Sequence, residues 1–587
     1  MAGTVLELFD ATSRAHAARP AMKRRLAGQW QAITWTEYRE AVSRAARALV
    51  ALGVEPGDGV AILATNRPEW YVANLAAMAV GARPAGIYTN STPEQCRYIA
   101  EHARAAVVFV ENAEALARLE GTGPAGGVKA IVTMEGTPSG PGRLDWQGFL
   151  ARGEAAHEAE RERRTAAVRA GDVCTLIYTS GTTGAPKSVM LTHANLAFIA
   201  ECAQQILPVG AEDRLVSYLP LSHIAEQVAS HLLSLATGAC VHFVPSLEKL
   251  PETLHEVRPQ VFLGVPRVWE KIQSGIETKG AEASPLRRRL VSWARRLGLA
   301  GGEADQQGRP RPWGYALADR LVFRTVRERL GLDQARFLVV SAAPIAKETL
   351  DFFQSLGLPI MEIYGMSECT GPATISTPSC YRLGRAGRVL PGTELRIADD
   401  GEILIRGPHV FAGYSADDAA TREAIDEQGF LHSGDVGEID AEGFLRVTDR
   451  KKELLITAGG KNIAPQYLEG KLKQIPAVSQ AVAVGDRRPY VVALLTLDPA
   501  RVAAEAKAAG SPARSAEEAA VCAVFRSHVE RQVEAVNATL ARYETIKRVA
   551  LLARELSVES GELTPTLKLK RRVILERHRD TIERLYA

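Results

Sequence analysis

Between about residues 170 and 365, short apolar runs alternate with helix-like stretches. The run at 173–178 reads as a buried strand, and a glycine-rich loop follows it. A helix is expected from Thr192, whose hydroxyl would cap a segment running to about Leu207. Strands are then expected at 215–219, 241–244, 261–265, 337–340 and 360–364, with helices at 224–236 and 346–356. Strand–helix alternation of this kind predicts parallel α/β layers. In such sheets ligands bind beyond the carboxyl ends of the strands, and the unusual polar loops of this chain fall there.

After residue 390 the rhythm changes. Glu394–Ile397, then Asp399-Asp400-Gly401, then 402–405 predicts a β-hairpin. An Ala/Glu/Arg-rich helical region is expected from about Arg501 to Leu540, and a small C-terminal domain from near Arg450. Residues 300–314, rich in glycine, proline and charge, are expected to form an exposed loop.

Length and composition narrow the class. The 587 residues exceed one ordinary core, and 46% hydrophobic with 24% charged residues is a globular composition. A net charge of +3 from 71 basic and 68 acidic residues gives no global reason to expect nucleic-acid binding. Seven scattered cysteines with no C-x-x-C pair suggest neither a disulfide framework nor a zinc site, and a reducing, cytoplasmic setting is expected. The first residues lack the pattern of a signal peptide. The longest charge-free apolar stretch, 70–80, is shorter than the ~20 residues that span a bilayer.

The candidate chemistry starts in the loop Thr179-Ser180-Gly181-Thr182-Thr183-Gly184-Ala185-Pro186-Lys187. Glycines let backbone N–H groups approach phosphate oxygens, the hydroxyls add donors, and Lys187 supplies a cation for a leaving pyrophosphate. A Walker-type loop is disfavoured, because Pro186 rather than glycine precedes the lysine and the glycine spacing differs.

This wording, with Tyr178 before it, resembles the signature of the adenylate-forming superfamily; Ser188 stands where that family usually has glycine. Further matches follow in the family's order. Tyr218-Leu-Pro-Leu-Ser-His223 is similar to the segment whose histidine lines the acyl pocket. Ser341-Ala342-Ala343-Pro344 resembles the small-residue loop against which adenine lies. Glu362-Ile-Tyr364-Gly365-Met-Ser367-Glu368 resembles the motif in which the tyrosine stacks on adenine, the serine meets the α-phosphate and the glutamate holds Mg²⁺, with Thr179 as a second metal ligand. His432-Ser-Gly-Asp435 implies a ribose-binding Asp435. Asp449-Arg450-Lys451-Lys452 implies a hinge at Asp449, with Arg450 near the ribose and Lys452 near phosphate. Gly459 and Gly460 correspond to the pair bordering the pantetheine tunnel. Leu563-Thr-Pro565-Thr-Leu567-Lys568-Leu-Lys570-Arg571 resembles the loop of the adenylation lysine; Pro565 selects Lys568, and Lys570 stands as the alternative. Read without the family, the basic run 568–572 is equally the solvated start of a last helix.

The resemblance spans about residues 20–575 and is nearest to long-chain, bubblegum-type fatty acyl-CoA synthetases. It implies an α/β fold with a large N-terminal domain of layered, mostly parallel sheets plus a β-subdomain (1–449), and a small mobile α+β C-terminal domain (450–587). It also implies ATP, Mg²⁺ and coenzyme A, with a fatty acid converted to acyl-AMP and then to acyl-CoA, and it leaves room for peripheral membrane contact. Catalytic roles fall to Lys568, His223, Glu368 and Lys187. Two alternatives stay open: an acyl-AMP ligase serving a carrier protein, and an inactive lipid- or nucleotide-binding homologue, which the retained lysines and carboxylates oppose.

Overall fold

A computed structural model describes residues 3–119, 127–138, 140–179, 186–281, 283–451, 453–458, 462–564 and 568–587. The chain forms two compact units. One is Met1–Ala342 with Asp351–Leu395 and Leu404–His432; the other is Ala343–Leu350 with Arg396–Ile403 and Ser433–Ala587.

Among the described residues the first unit holds three sheets. In the eight-stranded one, the order runs Gly413–Tyr414, Lys187–Thr192, Val173–Thr179, Arg83–Gly86, Gly59–Leu63, Ala105–Val110, Ala130–Thr133 and Arg143–Asp145. From Val173–Thr179 onward neighbours are parallel, and the inner strands Gly59–Leu63 and Ala105–Val110 are unbroken apolar runs buried throughout. A second sheet pairs Val261–Gly264, Phe337–Val340 and Ile360–Met366 in parallel, then adds Gly371–Ile375 and Arg388–Val389 antiparallel. The third joins Arg214–Ser217, Cys240–Phe243, Pro20–Leu26 and Gln29–Thr34. The apolar stretch near Trp70 forms the buried helix Pro68–Ala79. No described helix is long and apolar enough to cross a membrane.

Thr192 caps His193–Ile206 as its sequence predicts: its hydroxyl takes the Asn195 N–H while the Asn195 side chain takes the Thr192 N–H. The glycine loop, however, does not lead directly into that helix. Lys187–Thr192 is a strand, antiparallel to Val173–Thr179, with Thr179 opposite Lys187. The predicted loop at 300–314 is also corrected, since Pro285–Gln306 is one helix and only the residues after Gln306 leave it. Gly301 and Gly302 are packing residues against Tyr315 and Gln354, and at Gly298 in the same helix a Cβ would lie 2.2 Å from the Ser355 carbonyl oxygen, so glycine lets the helix sit there.

The predicted hairpin belongs to a sheet ordered Glu394–Ile397, Glu402–Arg406, Leu431–Ile439 and Leu445–Arg450. In the second unit Val478–Val484, Val491–Leu497 and Ile546–Leu552 form a three-stranded sheet. Alternate residues serve its two faces: Ala481, Ala483, Ala493 and Leu495 meet the core of Phe525 and Val529, whereas Val482, Val484, Val492 and Leu494 meet Ile574 and Ile582.

Candidate active site

In the first unit, the hairpin ladder brings Thr179 and Lys187 together at the loop's base. Ser180, Gly181, Thr182, Thr183 and Gly184 lie outside the described residues. Lys187 Nζ stands 4.8 Å from the centroid of the Tyr414 ring. Tyr414 in turn donates its hydroxyl to Glu368 Oε1 at 2.8 Å. Burial and the Glu368 carboxylate push the Tyr414 phenol far up, so it stays a proton donor. Glu368 is buried in the short turn Ser367–Cys369 and makes no ion pair among the described residues. One aromatic side chain thus carries a cation on its face and a carboxylate on its hydroxyl. Sequence reading missed Tyr414: its strand is two residues long and far from both partners in the chain, and no motif marks it.

Tyr364 and Ser367 are buried beside this turn. Gly365 is obligatory, because a Cβ there would meet the Gly371 carbonyl oxygen at 1.8 Å. Glu362 accepts the Gly384 N–H at 2.6 Å, and burial pushes its carboxyl up to about 7. The Ser341 hydroxyl donates to the Ile363 carbonyl at 3.1 Å, and Ala342 holds a left-handed φ of 76°. Ala343 and Pro344 are exposed.

His223 caps the turn Ile224–Glu226, its Nδ1 accepting the Ala225 N–H at 3.1 Å. That bond puts the proton of the neutral ring on Nε2. Behind it Glu226 is buried; it takes the Leu219 N–H at 3.1 Å, and burial pushes it up to about 7. Ser217, Ser230 and Tyr71 continue a neutral polar network, with Tyr71 donating to Ser230 at 2.8 Å. The loop at 218–223 is held close to the sheet, since a Cβ on Gly86 would lie 2.6 Å from Ser222 Cα.

The second unit gathers the ribose and hinge candidates. Asp435 lies opposite Arg450 and Val436 opposite Asp449 on adjacent antiparallel strands. Arg450 Nε is 3.3 Å from Asp435 Oδ1. Asp449 is 1% exposed and takes the Arg450 N–H at 2.6 Å; burial pushes its carboxyl up to about 7. Near it Arg571 binds Glu469 at 2.8 Å and lies 3.9 Å from Glu453. Its Nη1 also donates to the Ala483 carbonyl. Arg571 is therefore no part of a solvated charge run: it is enclosed by three carboxylates and a carbonyl. Lys452, Gly459 and Gly460 lie outside the described residues.

Lys568 is half-buried. Its N–H donates to the Thr564 hydroxyl at 3.0 Å and its carbonyl accepts the Thr564 N–H at 2.7 Å. Lys570 lies two residues on, its N–H on the Glu562 carbonyl, as the residue before helix Arg571–Arg577. Pro565 and Leu567 lie outside the described residues. Glu562, wholly buried, takes Arg554, Ser560 and His578, which hold its carboxyl down at about 2. The loop is thus anchored at its base by a satisfied carboxylate.

Residues 9–415 match the AMP-binding enzyme family, and residues 452–587 match the AMP-binding enzyme C-terminal domain. The chain is 38% identical to a long-chain-fatty-acid–CoA ligase, ACSBG2, of Gallus gallus, over 100% of this chain and 81% of the relative. It is 36% identical to the long-chain-fatty-acid–CoA ligase FadD15 of Mycobacterium tuberculosis, over 96% of this chain and 94% of that one. In fold it is similar to the anthranilate CoA ligase AuaEII in complex with anthranoyl-AMP (TM-score 0.74, 18% identity, 99% of this chain and 98% of that). It is likewise similar to the A domain of carboxylic acid reductase from Segniliparus rugosus (TM-score 0.76, 20% identity, 99% and 94%). Matched from one end to the other by family and relatives alike, the chain belongs to the AMP-binding enzymes.

Proposed function

We propose that this chain is an AMP-forming long-chain fatty acid–CoA ligase of the cytoplasm, turning a fatty acid, ATP and coenzyme A into acyl-CoA, AMP and pyrophosphate. The observation that carries the reading is the Lys187–Tyr414–Glu368 arrangement at the base of the glycine loop, in a chain whose full-length relatives bear the name long-chain-fatty-acid–CoA ligase.

A carboxylate does not react with a thiol at neutral pH, since oxide is a poor leaving group. In the first step a carboxylate oxygen of the acid bonds to the α-phosphorus and pyrophosphate leaves. Substrate and triphosphate are both anionic, so cations must meet where they converge. Lys187 and Lys568 fill that role, and Ser367 orients the α-phosphate. Mg²⁺ on the nucleotide supplies further charge neutralisation. Glu368 and Thr179 fit it as hard oxygen donors, Glu368 being a buried carboxylate that makes no ion pair among the described residues. Tyr414 orients Glu368 by giving it a hydrogen bond. Asp435 and Arg450 hold the ribose, and Tyr364 with Ala342, Ala343 and Pro344 flanks the adenine. In the second step the coenzyme A sulfur bonds to the acyl carbon and AMP leaves. A thiol with a pKa of about 8.5 needs only modest help to react as thiolate. Rotation about Asp449, between domains 1–449 and 450–587, takes Lys568 away for this step, and Gly459 and Gly460 admit the pantetheine arm.

The test is release of pyrophosphate and AMP over acids of graded length, with and without coenzyme A. Long acids should turn over continuously only when coenzyme A is present. Turnover of short or aromatic acids alone, or acyl delivery to a carrier protein in its place, would overturn the assignment.

A further inference from the structure

Asn66 lies in the turn between strand Gly59–Leu63 and helix Pro68–Ala79, far in sequence from the residues given a role above. Its amide nevertheless reaches the loop that leads to His223. Nδ2 donates to the Ser217 hydroxyl at 2.8 Å and to the Leu219 carbonyl at 2.7 Å, and Oδ1 accepts the Leu221 N–H at 3.3 Å. That carbonyl and that N–H fix which end of the amide is nitrogen. From elsewhere in the fold, buried Glu226 accepts the Leu219 N–H at 3.1 Å and buried Gln227 donates to the Leu221 carbonyl at 2.8 Å. All four main-chain groups of Leu219 and Leu221 are thus met by side chains, two of them by Asn66. The chain here has left strand Arg214–Ser217 and has not yet entered the turn Ile224–Glu226, so neither a ladder nor a helix serves these groups.

Asn66 is itself braced. Thr65 gives its N–H and its hydroxyl to Glu111, both at 2.8 Å, and Arg67 pairs with Glu69 at 2.9 Å and with Glu135 at 2.8 Å. A recess bordered by Asn66, Tyr218, Pro220 and Ser222 adjoins the loop, so packing does not fill that side and hydrogen bonds set the path of the chain. Hydrogen bonds suit the task because they fix direction as well as distance, whereas apolar contact leaves a loop free to slide. We infer that Asn66 is a positioning residue for the acid substrate: by holding the chain at 217–221 it sets where His223 stands. The inference rests on the proposed reaction, in which His223 lines the acyl pocket; Asn66 acts through that histidine and takes no part in the bond-making steps.

The test is steady-state pyrophosphate release by the full chain, with KM for the acid and KM for ATP read separately. Asn66→Ala should raise KM for the acid by ~10–100-fold, as a small misplacement near reacting groups does, and leave KM for ATP within about twofold. Asn66→Asp keeps the side chain's size and its acceptor while removing both donations, and it should show the same split; it carries the test where thermal unfolding shows Asn66→Ala to be poorly folded. His223→Ala should also raise KM for the acid. Adding Asn66→Ala to it should then change little more, because a residue that acts through His223 has nothing left to place. The wild type is measured first. Failure to activate a long acid would count against the proposed reaction alone, and the same comparison then runs on the acid that is activated. A joint rise of both KM values, an unchanged KM for the acid, or effects of the two substitutions that simply add would each overturn the proposal.

Discussion

Glu226 in the first unit and Asp449 in the second are both buried, and burial pushes both up to about 7, yet their surroundings differ in kind. Glu226 is met by serine hydroxyls and backbone N–H groups, and no cation approaches among the groups that shift it. Asp449 feels Glu453 and Arg571, and Arg571 is bound to Glu469. The first carboxyl belongs to a neutral network that fixes the loop ending in His223. The second belongs to a charge cluster whose balance depends on every member. Neutral networks tolerate the loss of one partner better than ionic ones do, because a stranded buried charge costs more than a stranded hydroxyl.

The comparison breaks most readily at Arg571. Arg571→Met leaves Glu469 buried without its cation and should cost ~3–5 kcal/mol of C-terminal unit stability, seen in denaturant unfolding. Arg571→Lys, which restores charge but not the fork, should recover part of it. Next comes the lysine three residues earlier. Lys568→Ala should slow acyl-adenylate formation by ~10²–10³ while sparing thioester formation from supplied acyl-adenylate; Lys570→Ala should spare both. Equal loss in the two half-reactions would remove Lys568 from the chemistry. Asp449→Pro should give the opposite split, and an unimpaired second half-reaction would count against the hinge.

Glu226 sharpens the contrast by pH. Its folded pKa is raised, so the folded state holds the proton more tightly than the unfolded chain, where a glutamate titrates near ~4.3. Its contribution is therefore fully present below that value and is lost as pH rises through about 7. The loss amounts to about 3 kcal/mol in order of magnitude. Glu226→Gln should flatten this part of the stability–pH curve and stand above wild type at pH ~8 relative to pH ~5. Parallel curves would show that the carboxyl is already ionised in the folded state.

Much of this was legible in sequence where the signal is local. The Thr192 cap, the parallel strands and the Asp-Gly turn each rest on neighbours a few residues apart. What sequence hid is long-range. Tyr414 gains its meaning only from sheet pairing beside Met190 and Val189. Arg571 looks solvated in a run of basic residues until Glu469 is folded onto it. Gly301 and Gly302 look like helix breakers, because the neighbours they pack against, Tyr315 and Gln354, lie elsewhere in the chain.

The rung that pairs Thr179 with Lys187 has a consequence for how the glycine loop can change over time. Substitutions between the two residues alter what the loop offers to a ligand and leave the ladder alone. Deleting or inserting one residue is different in kind, since strand side chains alternate with a period of two. Unless the loop absorbed the change, Lys187 would be turned to the opposite face of the sheet, away from the Tyr414 ring, and Ser188 out of its buried place opposite Tyr178. A change of length at this point therefore acts on the ladder by parity, which a change of composition does not.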